Sequence, residues 1–160
     1  MRKVSAKNAG GLHRYREKRD PQATTEPFGA ERNRSAGKTQ VGRFVVHLHH
    51  ATRAHYDLRI EVGGTQLSFA VPKGPTLDPR AKHLAVQTED HPLEYLDFED
   101  VIPADNYGAG PMIAWDIGRV HYLEGSAEDG IERGKIDFSL SGFKLSGRFG
   151  LVATGRGARS

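Results

Sequence analysis

The sequence predicts a mainly β protein: a compact antiparallel β-barrel of about eight strands behind a basic, partly disordered N-terminal arm. Three observations carry this. From Gly42 onward, short segments alternate apolar and polar residues with the two-residue period of a half-buried strand. Glycine and proline pairs punctuate them at the spacing of an all-β sandwich or barrel. No helical period of useful length follows residue 42. Strands are expected at 43–49, 55–62, 66–71, 84–89, 112–116, 119–123, 135–140 and 143–152. Gly63-Gly64 suits a two-residue hairpin turn, and Ile117-Gly118 and Ser141-Gly142 are read as breaks between further pairs. Pro72-Lys73-Gly74-Pro75 and the stretch from Pro103 to Pro111 are loops, since proline has no donor for the ladder. Trp115 and Phe149 are expected in the core. Residues 1–40 hold few large apolar groups and are read as the arm, with a short helix near 11–19; residues 41–160 form the folded domain.

Composition narrows the chemistry. With no Cys among 160 residues, disulfides, thiolate metal sites and a cysteine nucleophile are excluded, so any metal is held by His, Asp or Glu. No apolar run reaches the roughly 18 residues of a membrane helix, and the N-terminus lacks the apolar stretch of a secretory signal. The expectation is a cytoplasmic, nucleoid-associated protein with no membrane partner. Residues 1–40 carry ten Lys and Arg against four Asp and Glu; the remainder carries 13 against 16. A basic arm before a mildly acidic body suits a polyanion, because each neutralised phosphate releases counterions.

Six of the eight histidines fall between residues 47 and 91. In His55-Tyr56-Asp57-Leu58-Arg59-Ile60-Glu61-Val62 the polar residues share one face and the apolar ones the other, placing imidazole, carboxylate and guanidinium about 7 Å apart along the strand. His47 and His49 share a face of the preceding strand, and a hairpin would set His49 beside His55 and Asp57. Two imidazoles and a carboxylate make a facial site for a divalent transition metal; Arg59 adds a fork suited to phosphate. A solvated polar face is the alternative. In the segment 83–91, His83, Glu89 and His91 are in phase. His91, before Pro92, suits a general acid or a phosphate clamp, Tyr95 a hydroxyl donor, and Lys73 a loop charge. The acidic residues Glu94, Asp97, Glu99, Asp100 and Asp105 are read as a solvated face.

These residues resemble a known family. The string Phe44-Val45-Val46-x-x-His49-x5-His55-Tyr56-Asp57-x-Arg59 is similar to the opening motif of the phosphoesterase domain of bacterial DNA ligase D. Ala70-Val71-Pro72-Lys73-Gly74-Pro75, Glu89-Asp90-His91-Pro92-Leu93-x-Tyr95, and Tyr107-Gly108-Ala109-Gly110 with Trp115-Asp116 follow in the family's order, and Lys18-Arg19-Asp20 with Glu26-Pro27 resembles its leader. The resemblance runs from about residue 12 to 153. It implies a manganese-dependent enzyme, with Co2+ or Zn2+ as possible substitutes, that heals 3′ ends of DNA or DNA/RNA primer-templates. Such an enzyme removes a terminal ribonucleoside and then the remaining 3′-phosphate. It also implies His49, His55 and Asp57 as metal ligands, and Arg59, His91 and Tyr95 at the scissile phosphate. Lys73 matches the loop lysine, and Glu89 joins the catalytic set. Arg19, Asp20 and Glu26 are accessory leader residues.

Two departures stand out. His83 replaces a second phosphate-binding arginine of the family, a permanent fork exchanged for a mostly neutral ring, and His47 is a further potential metal ligand. With no polymerase or ligase sequence in the chain, those activities and the end-joining partners are expected on separate proteins. Two other functions fit parts of the pattern: a non-catalytic, metal-stabilised nucleic-acid binder, and a non-haem iron oxygenase built on His55, Asp57 and His121.

Overall fold

The computed structural model describes residues 12–19, 26, 37–104, 106 and 109–154. β1 (Val41–His50), β2 (Ala54–Val62) and β3 (Thr65–Val71) form an antiparallel meander. Gly63 and Gly64 join the second pair with φ of 58° and 88°, which only glycine adopts freely at both positions. Next come β4 (Val86–Gln87), β5 (His91–Pro92), a 3-10 turn over Leu93–Asp97, β6 (Asp100–Ile102) and the long β7 (Gly110–Leu123). β8 (Lys135–Gly142) and β9 (Ser146–Val152) complete one sheet with the path β4-β3-β2-β1-β7-β8-β9; β5 pairs with β3 and β6 with β7. The antiparallel sheet curls into a half-barrel, the mainly β architecture that the alternation predicts. Its path ends on β4 and β9.

Register separates two faces. Phe44 lies opposite Ile60 and Val46 opposite Leu58, and this face packs with Leu67, Phe69, Val120, Tyr122, Phe138 and Leu140 into the main core, which Trp115 and Phe149 flank. On the other face Val45 lies opposite Arg59, His47 opposite Asp57 and His49 opposite His55. A smaller cluster of Tyr15, Tyr95, Phe98, Ile102 and Met112 covers that side. Tyr15 comes from α1 (His13–Glu17), within the short helix expected in the arm. Both faces of β1–β3 are thus buried around the polar strip, where alternation alone implied one solvated face.

Four local expectations are corrected. Ile117-Gly118 is no break, because β7 runs through it. Gly118 is required by close approach, since a Cβ there would stand 2.0 Å from the Ser141 carbonyl oxygen. The strand expected at 84–89 shrinks to Val86–Gln87, with Leu84 exposed on the loop before it. The last strand starts at Ser146 rather than 143. Residues 143–145 turn around the buried Asp116 carboxylate, which accepts from the amides of Phe143 (2.8 Å) and Leu145 (2.8 Å). A second helix, α2 (Ala127–Arg133), exists after all. It is short and contains Gly130, but Ser126 and Asp129 form a reciprocal capping box. Ser126→Ala is expected to cost about 1 kcal/mol in a urea melt while leaving the polar strip intact; an unchanged midpoint would mean that the cap contributes nothing.

Candidate active site

The hairpin register brings the three expected metal ligands together. His49 Nδ1 lies 3.8 Å from Asp57 Oδ2, and His55 Nε2 lies 3.3 Å from Asp57 Oδ1. One donor atom from each residue falls within 4.8 Å of the others. A divalent ion about 2.1 Å from each ligand needs donor separations of roughly 3–3.5 Å, so the three side chains need close by only about an ångström. The donor set of two imidazoles and a carboxylate fits such an ion. His55 Nδ1–H donates to the Arg53 carbonyl (3.2 Å), the outer hydrogen bond that fixes a ligating ring's tautomer. His49 and Asp57 are buried; the His55 side chain, 27 % exposed, opens the trio to solvent.

Asp57 stays ionised. Burial pushes its carboxyl up, but Arg59, the hydrogen bond from His55 and the nearby imidazoles together hold it below the usual range. His55 is correspondingly raised, first by that hydrogen bond. A metal would displace this shared proton.

Behind the trio lies a buried cluster centred on Arg59. Arg59, buried, directs Nη1 to His47 Nδ1 (2.7 Å), and its Nη2 approaches Asp57 Oδ2 (3.5 Å) and His91 Nε2 (3.4 Å). Its plane lies over the Tyr95 ring, with Cζ 4.7 Å from the centroid. Its Nε–H is buried with no hydrogen-bond partner among the described residues. His91 donates from Nδ1 to the Glu89 carbonyl (2.8 Å), which leaves the Nε2 lone pair facing the guanidinium groups of Arg59 and Arg19.

The arm closes this side. Arg19 donates to Glu26 (2.9 Å) and Glu89 (3.0 Å) and stacks on Tyr15 (3.9 Å to the centroid), while Tyr95 donates its hydroxyl to Glu26 (2.6 Å). Lys18 also reaches Glu89 (3.0 Å). Burial opposes ionisation of Glu89, but its own backbone amide and these two cations hold it below the usual carboxylate value. Burial pushes the Tyr95 hydroxyl up, so it remains a donor.

Nine of the expected site residues therefore converge: His49, His55, Asp57, Arg59, His91, Tyr95, Glu89, Arg19 and Glu26. Asp20 lies outside the described residues. Lys73 is exposed on the turn after β3, and His83 donates from Nδ1 to the Gly74 carbonyl, so its hydrogen bond holds the Lys73 turn rather than the Arg59 cluster. His121, exposed on β7, pairs with Val41, eight residues along β1 from His49. That is roughly 27 Å, so the triad of the iron oxygenase alternative does not assemble. Sequence reasoning missed Tyr15, whose ring stands 5.0 Å from that of His91 and 6.0 Å from that of Tyr95. Its spacing of four residues before Arg19 is the one signal that paired them. The role of His47 was also missed: it faces Arg59 and Phe98, not the metal trio.

Both buried rings are held neutral. Burial and then the Arg59 charge lower His47 to about 3, and burial, Arg59 and Arg19 hold His91 well below its ordinary value. An unfolded histidine protonates near 6.5, so below that pH the unfolded chain binds more protons and stability is lost as pH falls, by up to ~1.4 kcal/mol per pH unit per ring. Raised His55 acts in a different window, above about pH 6.5, where its stabilisation is lost as pH rises, and adds no slope in the acid range. Asp57 and Glu89 add to the loss below about pH 4, where their unfolded forms protonate first. In metal-free buffer the melting temperature is expected to fall steadily from about pH 6.5 to about pH 4; a flat profile, or one that rises as pH falls, would contradict this arrangement.

Comparison with known proteins identifies the family of the chain. Residues 47–153 match the family model of the DNA Ligase D 3′-phosphoesterase domain. The chain is 49 % identical over 150 residues to the multifunctional non-homologous end joining protein LigD of Pseudomonas aeruginosa, covering 93 % of this chain and 18 % of that protein. It is 42 % identical over 147 residues to the corresponding DNA repair protein of Mycobacterium tuberculosis and 40 % over 151 residues to that of Mycolicibacterium smegmatis; each covers 91 % of this chain and 19 % of the relative. The chain spans about a fifth of the length of these relatives. With the match extending over His49, His55, Asp57, Arg59, His91 and most of the sheet, the chain belongs to the DNA Ligase D 3′-phosphoesterase domain family, hydrolases of ester bonds.

Proposed function

We propose that this protein is a metal-dependent phosphoesterase that heals 3′ ends for DNA repair by end joining. It removes a 3′-terminal ribonucleoside and then the 3′-phosphate, leaving a 3′-OH on a DNA or DNA/RNA primer-template. The observation that carries this is the His49–His55–Asp57 trio beside Arg59, whose buried Nε has no partner among the described residues. Those three residues would hold Mn2+, or Co2+ or Zn2+ in its place. Such an ion supplies Lewis-acid polarisation of the phosphoryl group and acidification of water.

The rest is done by side chains. Arg59 offsets the charge that grows on the equatorial oxygens, an effect strengthened by burial. His91, with its proton committed to the Glu89 carbonyl, aligns Arg59 and Arg19 through its lone pair, a positioning role in place of the general acid or a direct phosphate contact. Tyr95 supports the Arg59 plane, and Glu26, Glu89 and Arg19 brace the cluster from the arm, with Asp20 beside them in sequence. Arm and barrel thus act as one catalytic unit. Lys73, on the turn that His83 ties down, meets the nucleic-acid backbone at the rim. Ligase, polymerase and end-joining activities act on the product, in the cytoplasm at the nucleoid.

The test uses a labelled primer-template ending in one ribonucleotide, with and without manganese, resolved on a gel. The expected result is manganese-dependent shortening to a 3′-phosphate end and then to 3′-OH. Duplex binding without cleavage under any divalent metal would favour the non-catalytic binder.

A further inference from the structure

We infer that His47 is a positioning residue that sets the Arg59 guanidinium for phosphate, and is not a further metal ligand. The inference rests on the phosphoesterase reading for its catalytic consequence, but the geometry stands by itself. Arginine only donates hydrogen bonds and a carbonyl only accepts them. Because His47 Nδ1 lies 2.7 Å from Arg59 Nη1, it must accept; because Nε2 lies 2.9 Å from the Phe98 carbonyl oxygen, it must carry the proton. Both nitrogens are then used, and no lone pair is left for an ion.

The ring has no freedom to do otherwise. His47 is fully buried on β1, opposite Asp57, and packs edge-on against Tyr95 at 5.5 Å between centroids. Phe98, whose carbonyl fixes the ring, belongs to the cluster that covers this face. The Nη1 contact is the shortest that Arg59 makes; those of Nη2 to Asp57 and His91 are 3.5 and 3.4 Å. His47 thus occupies Nη1 and turns the other edge outward from it, where Nε has no partner among the described residues and Nη2 makes only the two longer contacts; that edge is the one able to meet two oxygens of one phosphate at once. A misaligned fork loses this bidentate match, and with it stabilisation of charge that develops only in the reaction.

Two measurements test this. In metal-free protein, 15N spectra of the histidine rings should show His47 as the Nε2–H tautomer; an Nδ1–H or doubly protonated ring overturns the inference. Kinetically, His47→Phe keeps the ring volume but cannot accept from Arg59, whereas His47→Gln offers both an acceptor and a donor. On a 3′-phosphate primer, His47→Phe is expected to lower kcat by roughly 10²-fold with KM within about 3-fold, and His47→Gln to recover to within about 10-fold of wild type. Manganese stoichiometry should be unchanged in both. A phenylalanine variant with wild-type kcat, a glutamine variant no better than it, or loss of manganese binding overturns the proposal. An inactive wild-type protein would instead overturn the phosphoesterase reading, and the catalytic role of His47 with it. A wrong tautomer in an active enzyme overturns only the role of His47.

Discussion

Asp57→Ala is expected to abolish divalent metal binding and to lower ester hydrolysis by on the order of 10³-fold or more. Changing an outer-shell partner of a metal ligand already costs about 10–100-fold, and Asp57 would be a ligand itself. It is also the one anion of the trio, lying 3.3 Å from His55 and 3.8 Å from His49 and facing Arg59 at 3.5 Å. Removing it leaves three groups that repel one another when protonated or charged. Manganese titration by calorimetry together with a phosphate-release assay checks this. An alanine variant that keeps both binding and turnover would place the metal elsewhere.

Arg59→Lys carries the second largest expectation, a loss of roughly 10²–10³-fold in kcat, the scale of removing one oriented donor from a transition state. The charge is conserved, yet a lysine presents a point ammonium where the site is built for a planar fork. It cannot stack on Tyr95, meet His47 and still offer a second edge. Asp57 would keep a cationic neighbour, so metal binding should survive, unlike in Asp57→Ala. Steady-state kinetics with manganese in excess separates the two variants; Arg59→Lys turnover within about 3-fold of wild type would remove Arg59 from the phosphate site.

The convergence of His49, His55 and Asp57 was legible because it depends on local rules. Two-residue alternation puts His55, Asp57 and Arg59 on one face, and Gly63-Gly64 closes the neighbouring turn. What covers that face was not legible from pattern. The cover comes from α1, Glu26 and the segment from Glu89 to Ile102, which have no periodicity and meet the strip across separations such as the 69 residues between Glu26 and Tyr95. The arm, read as basic and partly disordered, contributes Tyr15, Arg19 and Glu26 to the buried cluster. Only the resemblance to a family leader connected Arg19 and Glu26 with the site. His47 illustrates the same limit: its phase with His49 suggested another ligand, and only the position of the Phe98 carbonyl decides that both its nitrogens are taken. Gly118 was misread because a glycine demanded by a neighbouring strand looks, in sequence, like a glycine demanded by a turn.

The most direct test of the metal-dependent phosphoesterase is a reconstitution. Protein stripped with chelator would receive manganese in known increments while hydrolysis of a 3′-phosphorylated primer-template is followed. The expected result is no activity without metal, a linear rise, and saturation at one manganese per chain, absent in Asp57→Ala. Full hydrolysis by the stripped protein, or none once manganese is bound, would contradict the account.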